Sequence, residues 1–113
     1  MTTLWKRLSS KEFQQVFKEG SFRSGKYLCI IVKKEAGPGV GFTIKKKKRN
    51  AVERNFLRRR IKEAFLKIQE FIPREWQIVV IGLPDLISVP IDVLSSEIYR
   101  LIKIEMNIIE PTI

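Results

Sequence analysis

Histidine is absent from this 113-residue chain. Imidazole is the side chain that titrates near neutral pH and the commonest metal ligand, so its absence argues against general acid or base catalysis at pH 7 and against most transition-metal sites. Cysteine is nearly absent too. Cys29 stands alone, which excludes an internal disulfide or a cysteine metal cluster, and its place inside the run YLCIIV reads as an inert buried thiol. No apolar run approaches the roughly 18 residues that would span a bilayer. The opening MTTLWKRLSSKEF carries charge where a secretion signal needs an apolar stretch, so a cytoplasmic location without a membrane partner is expected. Neither GxxxxGKS/T nor GxGxxG occurs, which removes support for nucleotide hydrolysis. The 12 acidic residues are scattered without a recognisable pair or cluster, leaving a carboxylate-only metal nuclease without support. No catalytic residue and no metal ligand is therefore expected on this chain.

What the chain does have is positive charge in one place. It carries +10 overall, and the segment Lys45 to Lys62, KKKKRNAVERNFLRRRIK, holds ten cations against the single acid Glu53, or +9. The remainder, 12 basic and 11 acidic residues, is close to neutral. Charge concentrated in this way calls for a polyanion, and nucleic acid is the expected partner.

With 44% apolar and 10% aromatic residues the chain fits a single domain, residues 1–113. Ser9 followed by Glu12 is a capping-box pattern, predicting a helix whose Phe13, Val16 and Phe17 share a stripe and which stops at a left-handed Gly20. A polar turn around Ser24 and Gly25 leads to a central strand over Tyr27 to Val32. Glu35 to Gly39 is a Gly/Pro turn and Val40 to Ile44 a second strand, together predicting an antiparallel hairpin. Asn50 with Glu53 repeats the capping pattern, so a helix is predicted from Ala51 to about Ile68, before Pro73. Gln77 to Ile81 reads as a third strand and Asp92 to Glu105 as a last helix, with Leu94, Ile98, Leu101 and Ile102 on one stripe. The order α-β-β-α-β-α predicts a small α/β (α+β) sandwich around one sheet.

At about 100° per residue, Arg54, Arg58 and Lys62 form one row of the central helix and Asn55 with Arg59 the row beside it. Leu57, Ile61, Ala64, Phe65 and Ile68 cluster on the adjoining side, so the helix can bury one stripe and hold a file of cations outward. Like charges at this spacing cost about 0.2–0.5 kcal/mol each, an arrangement a monomer would not need. Arginine predominates in the rows, which suits bidentate contact with phosphate oxygens and stacking on bases. Lys45, Lys46, Lys47, Lys48 and Arg49 precede the helix amino terminus, where free backbone N–H groups and the helix dipole already favour an anion. Asn55 can read a sugar hydroxyl or base edge, or it can brace the neighbouring arginines. Both roles are open at this level.

These residues also resemble a known family. Asn50-Ala51-Val52-Glu53-Arg54-Asn55, followed by Arg58-Arg59 and Lys62, is similar to the Arg-Asn-Arg signature of the bacterial ribonuclease P protein component. Arg7-Leu8, Glu12 to Lys18 and Gly20 resemble that family's opening helix, and Val40 to Ile44 with the following lysines resembles its strand into the basic turn. The later VVI strand and closing helix complete the order, so the likeness covers nearly the whole chain.

The resemblance implies an RNA-binding subunit of the endoribonuclease that hydrolyses the 5′ leader from precursor tRNA. The catalyst in that ribonucleoprotein is RNA acting through bound Mg2+, so the metal is implied at the RNA active site and not at a dedicated protein site. Two partners are implied, the catalytic ribonuclease P RNA and the 5′ leader of precursor tRNA, and no DNA. Carried over by position, Lys46, Lys47, Asn50, Arg54, Asn55, Arg58, Arg59 and Lys62 contact RNA, with Lys45, Lys48 and Arg49 as added charge. A groove between the first helix and the sheet is implied for the single-stranded leader, with Phe17 and Tyr27, then Phe13, as its aromatic candidates. Core packing is the competing role for these rings. A left-handed β-α-β crossover is also implied, against the general rule. The chain departs from the family where Arg49 replaces the usual glycine, Lys45 a small or hydroxyl residue, and Phe56 an arginine. Its third strand ends Ile81-Gly82-Leu83 where an alanine-arginine pair is common. A structural ribosomal or general RNA-binding protein, using the same helix without a leader groove, is the alternative.

Overall fold

The computed structural model describes residues 5–35, 37–45 and 50–106. Helix α1 (Ser10–Glu19) is followed by strands β1 (Ser21–Ser24), β2 (Leu28–Lys33) and β3 (Gly39–Ile44), helix α2 (Ala51–Ile68), strand β4 (Gln77–Gly82) and helix α3 (Ile91–Glu105). Short 3₁₀ segments, Gln69–Phe71 and Pro84–Ser88, flank β4. The four strands form one mixed sheet in the order β1-β2-β4-β3, with β3 and β4 parallel and the other pairs antiparallel. The expected α+β architecture is therefore present, with one strand more than the sequence announced.

The pairing differs from the expected hairpin. β2 and β3 are not neighbours, because β4 lies between them and pairs with both. A strand such as QIVVIG, apolar along nearly its whole length, is most stable with a neighbour on each edge and a layer on each face. The link from β2 to β3 makes room by crossing the start of β4, where the Gly37 N–H donates to the Glu75 carbonyl at 2.6 Å. The outer edge of β2 is taken by β1, which the sequence presented as a polar turn.

Register sorts the apolar residues into two layers. Leu28, Ile30 and Val32 of β2, with Ile78 and Val80 of β4, face Leu57, Ile61, Ala64 and Phe65 of α2 and Leu94, Ile98, Leu101 and Ile102 of α3. Ile31 and Val79 point to the opposite side, where they meet Leu8 and Val16. Phe65 anchors the larger layer: its ring stands edge-on to Trp5 and to Phe42 of β3, with centroids 5.5 Å apart in each case. Each such pair adds about 0.5–1.5 kcal/mol beyond area burial, fixing α2 over β3.

Helix α1 covers part of the second face. Its amino end has the full capping box, the Ser9 hydroxyl accepting from the Glu12 N–H at 3.2 Å and the Glu12 carboxylate accepting from the Ser9 N–H at 2.9 Å. Glu12 also accepts from the Gln77 amide at 3.1 Å, tying α1 to β4. At the other end Gly20 is extended, with φ −80° and ψ 164°, and not left-handed as expected. Its glycine requirement is one of space, since a Cβ there would lie 2.6 Å from both Ile31 Cγ2 and the Val16 carbonyl oxygen. α3 is held from the far side: Glu97 accepts from the Tyr27 and Leu28 N–H groups, and the buried Glu105 pairs with Arg23 at 2.7 Å.

Candidate RNA-binding surface

α2 is positioned at both levels that matter, its start and its rotation. Asn50 caps it by accepting from the Glu53 N–H at 2.8 Å. The reciprocal contact runs between side chains, from the Asn50 amide to a Glu53 carboxylate oxygen at 3.5 Å. Burial of Leu57, Ile61, Ala64 and Phe65 against the sheet then sets which side faces outward. Just before the helix, Lys45 is exposed and its N–H donates to the Gly82 carbonyl, extending the β3–β4 ladder. Lys46, Lys47, Lys48 and Arg49 lie outside the described residues.

The outward side of α2 forms one wall of an open groove of about 1210 Å³. Val52, Asn55, Arg58, Arg59, Lys62 and Leu66 supply that wall; Ser9, Ser10, Phe13 and Gln14 of α1 and its cap supply the other. The floor is Val40 to Thr43 of β3, with Trp5, Arg7 and Leu8 closing one end. Arg7 brings a cation from a different part of the chain, and among the described residues no acid lines the groove. β3 is an edge strand at this point. Val40 exchanges hydrogen bonds with Lys6 and Leu8 across that edge, and alternation along the strand turns the Phe42 backbone groups toward the same open side.

Asn55 has a defined role here. Its side-chain oxygen accepts from an Arg58 guanidinium nitrogen at 2.8 Å, so it braces the arginine and keeps its amide N–H groups as donors. Arg54, by contrast, is half-buried and outside the groove lining, although the sequence placed it in one row with Arg58 and Lys62. An i, i+4 row is not straight: each step turns about 40° around the helix, so eight residues carry it from the flank of the buried stripe to the middle of the groove wall. Arg60 also leaves the groove. It points the other way, donating to the Val89 carbonyl, and lies 5.8 Å from the centre of the Phe56 ring.

Of the three aromatic candidates, two come together. Phe13 lines the groove and packs against the α1-side layer, and its ring lies 5.1 Å from that of Phe17, which is 47% exposed. Tyr27 does not join them. It packs against the α2/α3 layer on the other side of the sheet, with its N–H bonded to Glu97. It precedes β2 in a turn, outside the alternation that sends Ile31 toward α1. A residue the sequence reading passed over is Phe22. It pairs across β1–β2 with Ile31, shares its face of the sheet, and is 59% exposed. Its signal, an aromatic in the short segment SFRS, was masked by the polar residues around it.

Among the described residues no group of three histidine, cysteine or acidic side chains could hold a metal ion, and no helix is long and apolar enough to cross a membrane. The family profile described as Ribonuclease P matches residues 5–105. A ribonuclease P protein component from Pediococcus pentosaceus is 29% identical over 96 residues, covering 82% of this chain and 81% of its own. One from Enterococcus faecalis is 36% identical over 90 residues, covering 77% and 72%. The ribonuclease P protein structure from Thermotoga maritima superposes with a TM-score of 0.72 at 27% identity, over 87% of this chain and 96% of that one. With nearly its full length matched by the family profile and its fold shared with a solved member, this chain belongs to the ribonuclease P protein family.

Proposed function

We propose that this chain is the noncatalytic protein subunit of a ribonuclease P ribonucleoprotein, acting in the cytoplasm in the hydrolytic 5′ maturation of tRNA. The observation that carries the proposal is the groove between α1, β3 and α2, which gathers Arg7, Arg58, Arg59 and Lys62 with no acid among the described lining residues, in a chain of this family. The outward face of α2 and its basic approach from Lys45 to Arg49 bind the catalytic RNA. The guanidinium groups, that of Arg58 braced by Asn55, suit phosphate oxygens, and the Asn55 amide adds a donor for a sugar or base edge. The precursor leader runs beside α1, where Phe17 and the partly buried Phe13 offer ring surface next to positive charge. Screening of phosphate repulsion between the two RNAs then strengthens substrate binding.

Mg2+ supplies the hydrolytic chemistry at the RNA. The donor set described for this chain does not fit such an ion, so no step of the proposal runs through a metal held by the protein. The leader role is tested by comparing the affinity of the assembled ribonucleoprotein for precursor and mature tRNA. Tighter binding of the precursor, dependent on this chain, is expected. Equal affinities would remove the leader from the account.

A further inference from the structure

Phe56 is the aromatic residue placed inside the basic segment. It is 42% exposed, on a helix whose Leu57, Ile61, Ala64 and Phe65 pack the core. One of its neighbours is fixed: the Arg60 guanidinium, one turn on, donates to the Val89 carbonyl and lies 5.8 Å from the ring centre, within cation–π range. Its other neighbours face the groove. Val52, one turn back and 78% exposed, and Arg59, three residues on, both line it. Residues three and four apart on a helix stand about 5–6 Å apart, so any RNA that reaches Arg59 and Val52 passes beside Phe56.

An isolated exposed phenylalanine needs no explanation. This one sits within the 18 residues that carry +9 of the chain's +10, with a guanidinium anchored at its ring. The charge makes a polyanion the occupant of this surface, and the group of a polyanionic RNA that matches an aromatic plane is an unpaired base. We propose that Phe56 is a stacking platform for one unpaired nucleobase of the bound RNA, held in orientation by Arg60. The inference rests on the reading of α2 as an RNA-docking face, and adds a contact that is not electrostatic.

Stacking and phosphate contacts respond differently to salt, which makes the two separable. The test uses the full chain and its cognate ribonuclease P RNA, with affinity measured over a salt series for Phe56→Ala, Phe56→Leu and Phe56→Trp, and unfolding temperature as a folding control. Phe56→Ala and Phe56→Leu should each weaken binding by about 5- to 150-fold, the range for one lost stacked base, without changing the salt slope. Phe56→Trp should keep wild-type affinity, and RNA should quench its fluorescence beyond that of the wild type. Wild-type affinity in Phe56→Ala, or in Phe56→Leu, would overturn the proposal, as would an unquenched Phe56→Trp. Arg58→Ala with Lys62→Ala, measured alongside, separates the levels. If that pair flattens the slope while Phe56→Ala has no effect, only the platform fails; if the pair has no effect, the docking reading fails with it.

Discussion

Removing Arg58, Arg59 and Lys62 together is the sharpest perturbation of the groove, because all three line it and all are exposed, so alanine leaves the core intact. Each cation that neutralises an RNA phosphate releases counterions and contributes about 0.7 to 0.9 to the slope of log affinity against log salt. Three lost contacts should flatten the slope by about 2.1 to 2.7. Between 50 and 200 mM salt the wild type should therefore lose roughly 20- to 40-fold more affinity than the triple variant. Filter binding or fluorescence anisotropy with the cognate RNA reads this directly. Lys67→Ala is the matched control: it removes one cation from the same helix, but that cation is paired with Asp92 at 2.8 Å and lies away from the groove. Its slope should stay close to that of the wild type. Equal slopes for the triple variant and the wild type would place the RNA on another surface and refute the reasoning.

Three further outcomes are expected. Phe17→Leu should weaken binding of long-leader precursor more than that of leaderless tRNA in the assembled ribonucleoprotein; an equal effect on both would assign Phe17 to packing. Gly20→Ala should destabilise the chain by about 1–3 kcal/mol, because the new Cβ meets the Val16 and Val32 carbonyl oxygens, which cannot rotate away. Thermal unfolding would show a drop of several degrees, and an unchanged midpoint would contradict the close approach. The Glu12 carboxyl is held below its ordinary value of 4.5, chiefly by the Ser9 N–H and hydroxyl. A lowered folded-state value means that ionised Glu12 stabilises α1 above that ordinary value and loses the effect as pH falls through the lowered one. The gap in unfolding temperature between wild type and Glu12→Gln should thus be full at pH 7 and close in the acid range below 4.5. A gap independent of pH would show that the cap does not depend on the charge.

Local information was legible in the sequence and non-local information was not. The span of α2, Ala51–Ile68, follows from the Asn50 cap and the apolar stripe, both contained within one segment. The capping box of α1 is legible for the same reason. The insertion of β4 between β2 and β3 depends on residues from 38 (Gly39 with Gln77) to 54 (Leu28 with Gly82) positions apart, and no strand's composition names its partner. β1 escaped notice because a four-residue edge strand with three polar side chains lacks the alternation of a half-buried strand. At the site, the cationic helix was visible, but its rotation decided that Arg58, Arg59 and Lys62 face the groove while Arg54 and Arg60 do not. Arg7 joins them only through the pairing of its segment with Val40. The side of the sheet taken by Tyr27 was likewise hidden, because the residue sits in the turn before β2 and escapes that strand's alternation.

The central claim is that this chain assists an RNA catalyst and does not cut RNA itself. Reconstitution tests it most directly: precursor-tRNA cleavage is measured at low Mg2+ with the cognate ribonuclease P RNA alone, with the chain alone, and with both. Cleavage should be weak for the RNA alone, absent for the chain alone, and strong for the two together, with 5′-mature tRNA as product. Unchanged cleavage on adding the chain, or cutting by the chain without the RNA, would contradict the account.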